Sequence, residues 1–266
     1  SMALIEVNYL SQALSKITAL QVFIPNDLNP AEQERIPYYG RETRVLYLLH
    51  GYSGNQTDWI QGTTICNLAK KYNFAVVCPA GDNSFYLDQE MTGGKYATFV
   101  GEELPAYMEQ LFHFSGKRED TYIGGFSMGG FGAVHTALRY NRKFGKVMAF
   151  SSAFIINEII KTGSKTTGSL TNRPYQEHIF GPGESLKTSE KNPEYLLCRL
   201  LEKKEILPEF YLACGTEDTL LPHNREFRDF LKEKKVPATY TESPGGHSWD
   251  FWNRALEPAV KWMMED

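Results

Sequence analysis

Three residue types in this chain, a serine, a carboxylate and a histidine, each stand among glycines at the end of a strand-like run. Ser127 lies in Gly124-Gly125-Phe126-Ser127-Met128-Gly129-Gly130-Phe131-Gly132, after Asp120-Thr121-Tyr122-Ile123 and before Ala133-Val134-His135-Thr136-Ala137-Leu138. A β-branched and aromatic run enters Gly125-x-Ser127-x-Gly129 and an apolar helical repeat leaves it, so the stretch reads as strand, sharp turn and helix with the hydroxyl at the apex. Such a turn crowds its flanks, and Gly125, Gly129, Gly130 and Gly132 supply positions without side chains. The loop lacks the Lys-Ser/Thr ending of a phosphate-binding loop and the spacing of a dinucleotide fingerprint, which favours nucleophilic chemistry.

A serine hydroxyl is a poor nucleophile at neutral pH, so a base must take its proton and a carboxylate must orient the base. At a strand-to-helix elbow of this kind the partners follow in the order serine, acid, histidine. Cys214-Gly215-Thr216-Glu217-Asp218 ends one strand-like run and Gly245-Gly246-His247 ends the next. Three loops at one edge of a sheet then converge as Ser127, His247 and Asp218. Glu217 is the rival acid beside Asp218, and Asp82 is disfavoured because it precedes the serine. Of the other histidines, His50 ends a central strand and reads as a structural hydrogen-bonding residue, and His135 as a packed helical one. His113, His178 and His223 read as solvated. The negative oxygen that develops on an attacked carbonyl needs two backbone N–H donors. The first is Met128, at the N-terminus of the elbow helix, and the second is Tyr52, just after His50-Gly51.

The elements that must position these groups alternate along the chain. Ile5–Leu10 and Lys16–Pro25 suit an edge hairpin, and Asn26–Arg41 reads as a surface loop. The nearly continuous apolar runs Arg44–Gly51 and Phe74–Pro79 have the composition of strands buried on both faces. Asn55–Lys71 is expected to be loop and helix with a start at Thr57-Asp58, residues 85–97 a long loop over the crevice, and Phe99–Phe112 a helix that Pro105 must shift or kink. Lys146–Ser151, Phe210–Cys214 and Ala238–Glu242 are further strands, with helices over about His223–Lys234 and Trp249–Met264. This is an α/β pattern, a mostly parallel central sheet with helices on both faces. Residues 154–204 break the rhythm, with polar Gly163–Ser169 and a helix start at Asn192-Pro193-Glu194, and are expected to form a short cap insertion within one domain spanning 1–266.

Composition narrows the function classes. A 266-residue chain with 42% hydrophobic residues can bury a full core, and a net charge of −4 with interspersed signs provides no basic field for nucleic acid. The four cysteines, Cys66, Cys78, Cys198 and Cys214, are widely spaced and suggest neither a disulfide framework nor a metal site. No leader-like start and no membrane-length apolar run is seen, so a cytoplasmic address is expected. Oligomeric state is left open, including a homo-oligomer.

Leu48-Leu49-His50-Gly51-Tyr52-Ser53-Gly54, Gly125-Phe126-Ser127-Met128-Gly129-Gly130, Gly215-Thr216-Glu217-Asp218 and Gly246-His247-Ser248-Trp249-Asp250-Phe251-Trp252 together resemble the esterase D-type esterases. That group includes S-formylglutathione hydrolases, feruloyl esterases, mycolyltransferases and short-chain tributyrin or acetyl esterases, the last being nearest in length. The resemblance covers nearly the whole chain. It implies an α/β-hydrolase fold, a Ser127-Asp218-His247 triad, an oxyanion hole of Tyr52 and Met128, and a serine carboxylesterase that needs no metal or cofactor and acts on a small-molecule ester. S-formylglutathione hydrolysis, feruloyl esterase activity and acyl transfer by the same residues are alternatives, and a non-catalytic binding role is a weaker one. Aromatic rings near the crevice, Tyr52, Trp59, Phe85, Tyr86, Phe126 and Phe131, suggest a short acyl slot. Tyr52, Trp59 and Phe126 are the candidate substrate contacts, although Phe126 and Phe131 are also the rings best placed to pack the elbow helix.

Overall fold

A computed structural model of the chain describes residues 3–163 and 172–265. The strands are β1 (Ala3–Ser11), β2 (Lys16–Ile24), β3 (Arg44–Leu49), β4 (Phe74–Pro79), the two-residue pair β5 (Asp88–Gln89) and β6 (Gly94–Lys95), β7 (Thr121–Phe126), β8 (Lys146–Phe150), β9 (Glu209–Gly215) and β10 (Ala238–Ser243). Eight of them form one sheet in the order β1-β2-β4-β3-β7-β8-β9-β10. β2 runs antiparallel to both neighbours and the remaining ladders are parallel. β3, β4 and β7 are buried almost throughout, as apolar strands covered by helices on both faces must be.

The helices are α1 (Pro30–Arg35), α2 (Asp58–Gly62), α3 (Ile65–Tyr72), α4 (Tyr96–Thr98), α5 (Leu104–Phe112), α6 (Met128–Arg139), α7 (Ile156–Thr162), α8 (Arg173–Phe180), α9 (Pro193–Glu202), α10 (Leu221–Glu233) and α11 (Trp249–Met264). The core forms two layers. α3 and α11 pack on one face, where Phe251, Trp252, Leu256, Val260 and Met263 follow the helical period and meet Leu46, Leu48 and Met148 of the sheet. α6 and α10 lie over the other, with Phe131, Val134, Leu138, Phe227 and Leu231 buried. Each such side chain contributes roughly 1.5–3 kcal/mol of burial. Together they fix the sheet whose strand ends carry Ser127, Asp218 and His247.

Several local expectations change. Within Asn26–Arg41, Asn29 accepts the Glu32 N–H while Glu32 returns a bond to the Asn29 N–H. With Pro30 in the first turn, this capping box makes α1 out of an apparent loop. The segment Asn55–Lys71 divides into α2 and α3 at Thr63-Thr64, where the Thr63 hydroxyl bonds back to the Trp59 carbonyl. Pro105 has no N–H to give an α-helical carbonyl. Its mismatch is absorbed by a π-helical turn over Phe99–Glu103, after which α5 starts at Leu104. In the 85–97 loop, Phe85 and Tyr86 are buried, not poised over a crevice. The Asn192 cap and Pro193 start are as expected. Of polar Gly163–Ser169, residues 164–169 lie outside the described residues.

Candidate active site

Ser127 ends β7 and starts α6 with φ 55° and ψ −119°. A non-glycine residue in such a conformation stores roughly 1–3 kcal/mol, so its surroundings must hold it there. They do so through the backbone. The Ser127 N–H donates to Phe150 at 2.9 Å, and the Ser127 carbonyl accepts from Gly130, Phe131 and Ala153 at 3.1, 3.1 and 3.0 Å. A Cβ on Gly125 would lie 2.2 Å from the Gly129 carbonyl oxygen, and one on Gly129 would lie 2.2 Å from the Leu49 carbonyl oxygen. Both obstacles are backbone, which explains the flanking glycines.

Asp218 and His247 reach Ser127 from the ends of β9 and β10, past the intervening β8. His247 Nε2 is 3.0 Å from Ser127 Oγ and Nδ1 is 2.8 Å from Asp218 Oδ2. An ionised carboxylate can only accept, so Nδ1 carries the proton and Nε2 is left to accept from the serine hydroxyl. The imidazole is 30% exposed, whereas the Asp218 carboxyl is fully enclosed. Burial alone would raise the Asp218 pKa. The His247 ring N–H, the Leu220 N–H at 2.8 Å and Ser151 outweigh it and hold the carboxyl below its ordinary value. Ser151 in turn accepts from the Trp252 indole at 3.0 Å, and the Trp252 ring stands edge-on to His247 at 4.9 Å. Glu217 is exposed and points elsewhere: it accepts the Gly245 N–H and the Thr216 hydroxyl, tying the acid loop to the histidine loop. These bonds to Gly245 and Thr216 lower its pKa. Gly215 is required at that junction, because a Cβ there would lie 1.9 Å from the Gly245 carbonyl oxygen.

The loop after β3 is braced from below. His50 is buried, and its Nε2 accepts the Gly81 N–H at 2.8 Å while Nδ1 donates to the Gly51 carbonyl at 2.7 Å. Both ring nitrogens are thus committed, and burial lowers the pKa, which keeps the ring neutral and structural. The Tyr86 hydroxyl adds a bond to the His50 carbonyl at 2.8 Å. Gly51 lies against the Phe126 ring. Among the described residues, neither the Tyr52 N–H nor the Met128 N–H donates a hydrogen bond within the chain.

Of the expected substrate contacts, Tyr52 stays half-exposed, but Trp59 and Phe126 are corrected to core residues. Trp59 is 1% exposed, donates its indole N–H to the Leu49 carbonyl at 2.9 Å and packs on Phe126, Phe150 and Trp249. Phe126 is enclosed by Trp59, Trp249 and Trp252. Both rings thus pack behind the loops of the candidate site. Asp82 is committed to Lys16 at 2.7 Å and to the Tyr96 hydroxyl. His223 is not solvated: it pairs with Glu158 at 2.7 Å and is 21% exposed.

Sequence reading misses the residues that join these loops. Asn224 on α10 accepts the Ser152 N–H at 3.1 Å and donates to the Ser152 and Leu220 carbonyls at 3.0 and 2.9 Å. It therefore links the acid loop to the loop whose Ala153 N–H holds the Ser127 carbonyl. Asn83 accepts the Ser53 N–H at 2.7 Å. Cavities of about 780 and 610 Å³ lie elsewhere and are lined by none of Ser127, Asp218 and His247, so the chemistry marks the site better than volume does. Among the described residues, no three His, Cys, Asp or Glu side chains are grouped to hold a metal ion, and no helix is long and apolar enough to cross a membrane.

Known proteins share this arrangement of chain. The sequence pattern of the Esterase family, described as "Putative esterase", matches residues 11–263. An acetyl esterase of Caldicellulosiruptor saccharolyticus is 38% identical over 262 residues, covering 98% of each chain. The substrate-bound structure of fluorophosphonate-binding serine hydrolase F of Staphylococcus aureus superposes with a TM-score of 0.84 at 29% identity, covering 100% of this chain and 99% of that one. The S-formylglutathione hydrolase of Staphylococcus aureus gives a TM-score of 0.83 at 29% identity, with both chains covered completely.

Proposed function

The chain belongs to the Esterase family and is an α/β-fold carboxylester hydrolase, and we propose that it hydrolyses short-chain acyl esters through an acyl-enzyme on Ser127. The observation that carries the proposal is the continuous hydrogen-bonded path from Ser127 Oγ through His247 to the enclosed Asp218 carboxylate. In this reading Ser127 Oγ attacks the ester carbonyl carbon as its proton passes to His247 Nε2. Asp218 keeps the Nδ1 proton in place and stabilises the imidazolium. Negative charge on the former carbonyl oxygen is met by the Tyr52 and Met128 N–H groups, the second at the positive end of α6. Collapse expels the alcohol, which takes the proton from Nε2. Water then attacks the acyl-enzyme with His247 again as base, releasing the acid and restoring Ser127.

The short-chain assignment draws support from the acetyl esterase relative and from the Tyr52 ring, which stands edge-on to Tyr175 with centroids 5.6 Å apart. The described parts of the insertion, residues 154–163 and 172–204, would act as the cap over this side. Each methylene that fits an apolar slot contributes about 0.8 kcal/mol, and one that must displace packed atoms costs about 1–3 kcal/mol. For p-nitrophenyl esters kcat/KM is therefore expected to rise from acetate towards propionate or butyrate and to fall steeply by octanoate. A rate that still climbs at decanoate would refute the short slot. S-formylglutathione belongs in the same series because of the Staphylococcus aureus structure. A preference for it of several orders of magnitude would move the assignment to thioester hydrolysis.

A further inference from the structure

The loop carrying the Tyr52 N–H is held from below by His50 and Tyr86, and from above by a strut outside every motif that marks the site. Tyr175 on α8 donates its hydroxyl to the Asn83 carbonyl at 2.5 Å and meets the Tyr52 ring at 87°. The Asn83 side chain accepts the N–H of Ser53, which has a positive φ of 62° and directly follows Tyr52. Tyr175 is itself well anchored. Its N–H is capped by Asn172 at 3.0 Å, and its ring lies 6.5 Å from that of Phe85, which packs edge-on against Phe131 of α6. A chain of direct contacts thus runs from the helix that follows Ser127, through α8, to the peptide next to Tyr52.

We propose that Tyr175 is a positioning residue for ester hydrolysis: through Asn83 it holds the 51–54 loop at the angle at which the Tyr52 N–H meets the developing oxyanion. The inference rests on the assignment of Tyr52 and Met128 as the oxyanion donors. A backbone donor on a surface loop has no side chain to lock it, and a misplacement of about 1 Å costs up to roughly 10²-fold in rate. Two side-chain bonds from residues 30 and 92 positions apart would supply that lock.

The test is steady-state hydrolysis of p-nitrophenyl acetate by Y175F, N83A, N83D and the double variant Y175F/N83A, with active sites counted by fluorophosphonate titration. Y175F keeps the ring and loses the bond, so kcat per titrated site should fall about tenfold, a fraction of the roughly 10²–10³ that removal of a hole donor costs. KM should stay within about twofold and the pH profile of kcat/KM should be unchanged, because the His247-Asp218 pair is untouched. N83A should behave like Y175F, the double variant should be no worse than the weaker single, and N83D, which retains an acceptor oxygen for Ser53, should recover most of the rate. An unchanged kcat per titrated site in Y175F and N83A, whatever their thermal stability, would overturn the proposal, as would a change confined to KM. If the wild type neither turned over nor reacted with the fluorophosphonate, the esterase reading itself would fall and the strut with it.

Discussion

Two adjacent carboxylates, Glu217 and Asp218, leave the same strand, and their surroundings separate them completely. Asp218 is enclosed and faces the imidazole, while Glu217 is exposed and serves the Gly245 N–H. D218N should therefore lower kcat by roughly 10³- to 10⁴-fold, because an amide favours the wrong imidazole tautomer. E217Q keeps an acceptor for Gly245 and should retain most activity. Steady-state kinetics on one ester decides between them, and the reverse order would reassign the acid. At this scale much of the candidate site is legible in the sequence. Ser127, Asp218 and His247 each sit in a local glycine pattern, and their order along the chain restricts the choice of partner. Asn83, Asn224 and Tyr175 carry no such pattern, since the bonds that give them meaning reach across 30, 72 and 92 residues.

Secondary elements transmit these contacts between strand ends. α10 begins just after the acid loop, and Asn224 in its first turn clamps both the acid loop and the Ser152 peptide. Asn224 is 1% exposed, and N224A would leave the buried Ser152 N–H without its partner at a cost of about 1–3 kcal/mol, while the Ser152 and Leu220 carbonyls still accept from the Phe154 and residue 224 backbone N–H groups. We expect the unfolding free energy to fall by about 1–3 kcal/mol and kcat per titrated site by about tenfold, as denaturant titration and active-site counting would reveal. N224D keeps the acceptor for Ser152 and should lie between. Unchanged stability in N224A would show that the clamp is dispensable. Legibility at this scale follows the source of the signal. α11 runs over Trp249–Met264 as its apolar period indicates, whereas the capping box of α1 and the π turn before Pro105 depend on backbone bonding that periodicity does not register.

The molecule as a whole joins its two core layers across one sheet, and the alternation of strand and helix makes that architecture readable in advance. The strand order is less so, because β4 inserts between β2 and β3 through pairings distant in sequence. The fold also buries a histidine away from the candidate site. His135 is fully enclosed in α6, its Nε2 donates to the Glu190 carbonyl at 2.8 Å, and burial lowers its pKa to about 4. The unfolded chain binds this proton near pH 6.5 and the folded chain only near pH 4, so between those values unfolding takes up a proton and stability is lost as the pH is lowered. His135 alone should remove about 3 kcal/mol over that window, with little further loss below it. H135Q cannot titrate there, so its unfolding free energy should depend less steeply on pH than that of the wild type. Equal slopes would contradict the assignment. The most direct test of the central claim, that Ser127 is the nucleophile, is to treat the protein with a fluorophosphonate and map the adduct by peptide mass spectrometry. One adduct per chain on the Ser127 peptide is expected, absent in S127A and formed much more slowly in H247A. An adduct on another residue, or an S127A protein that still hydrolyses p-nitrophenyl acetate at the wild-type rate, would contradict it.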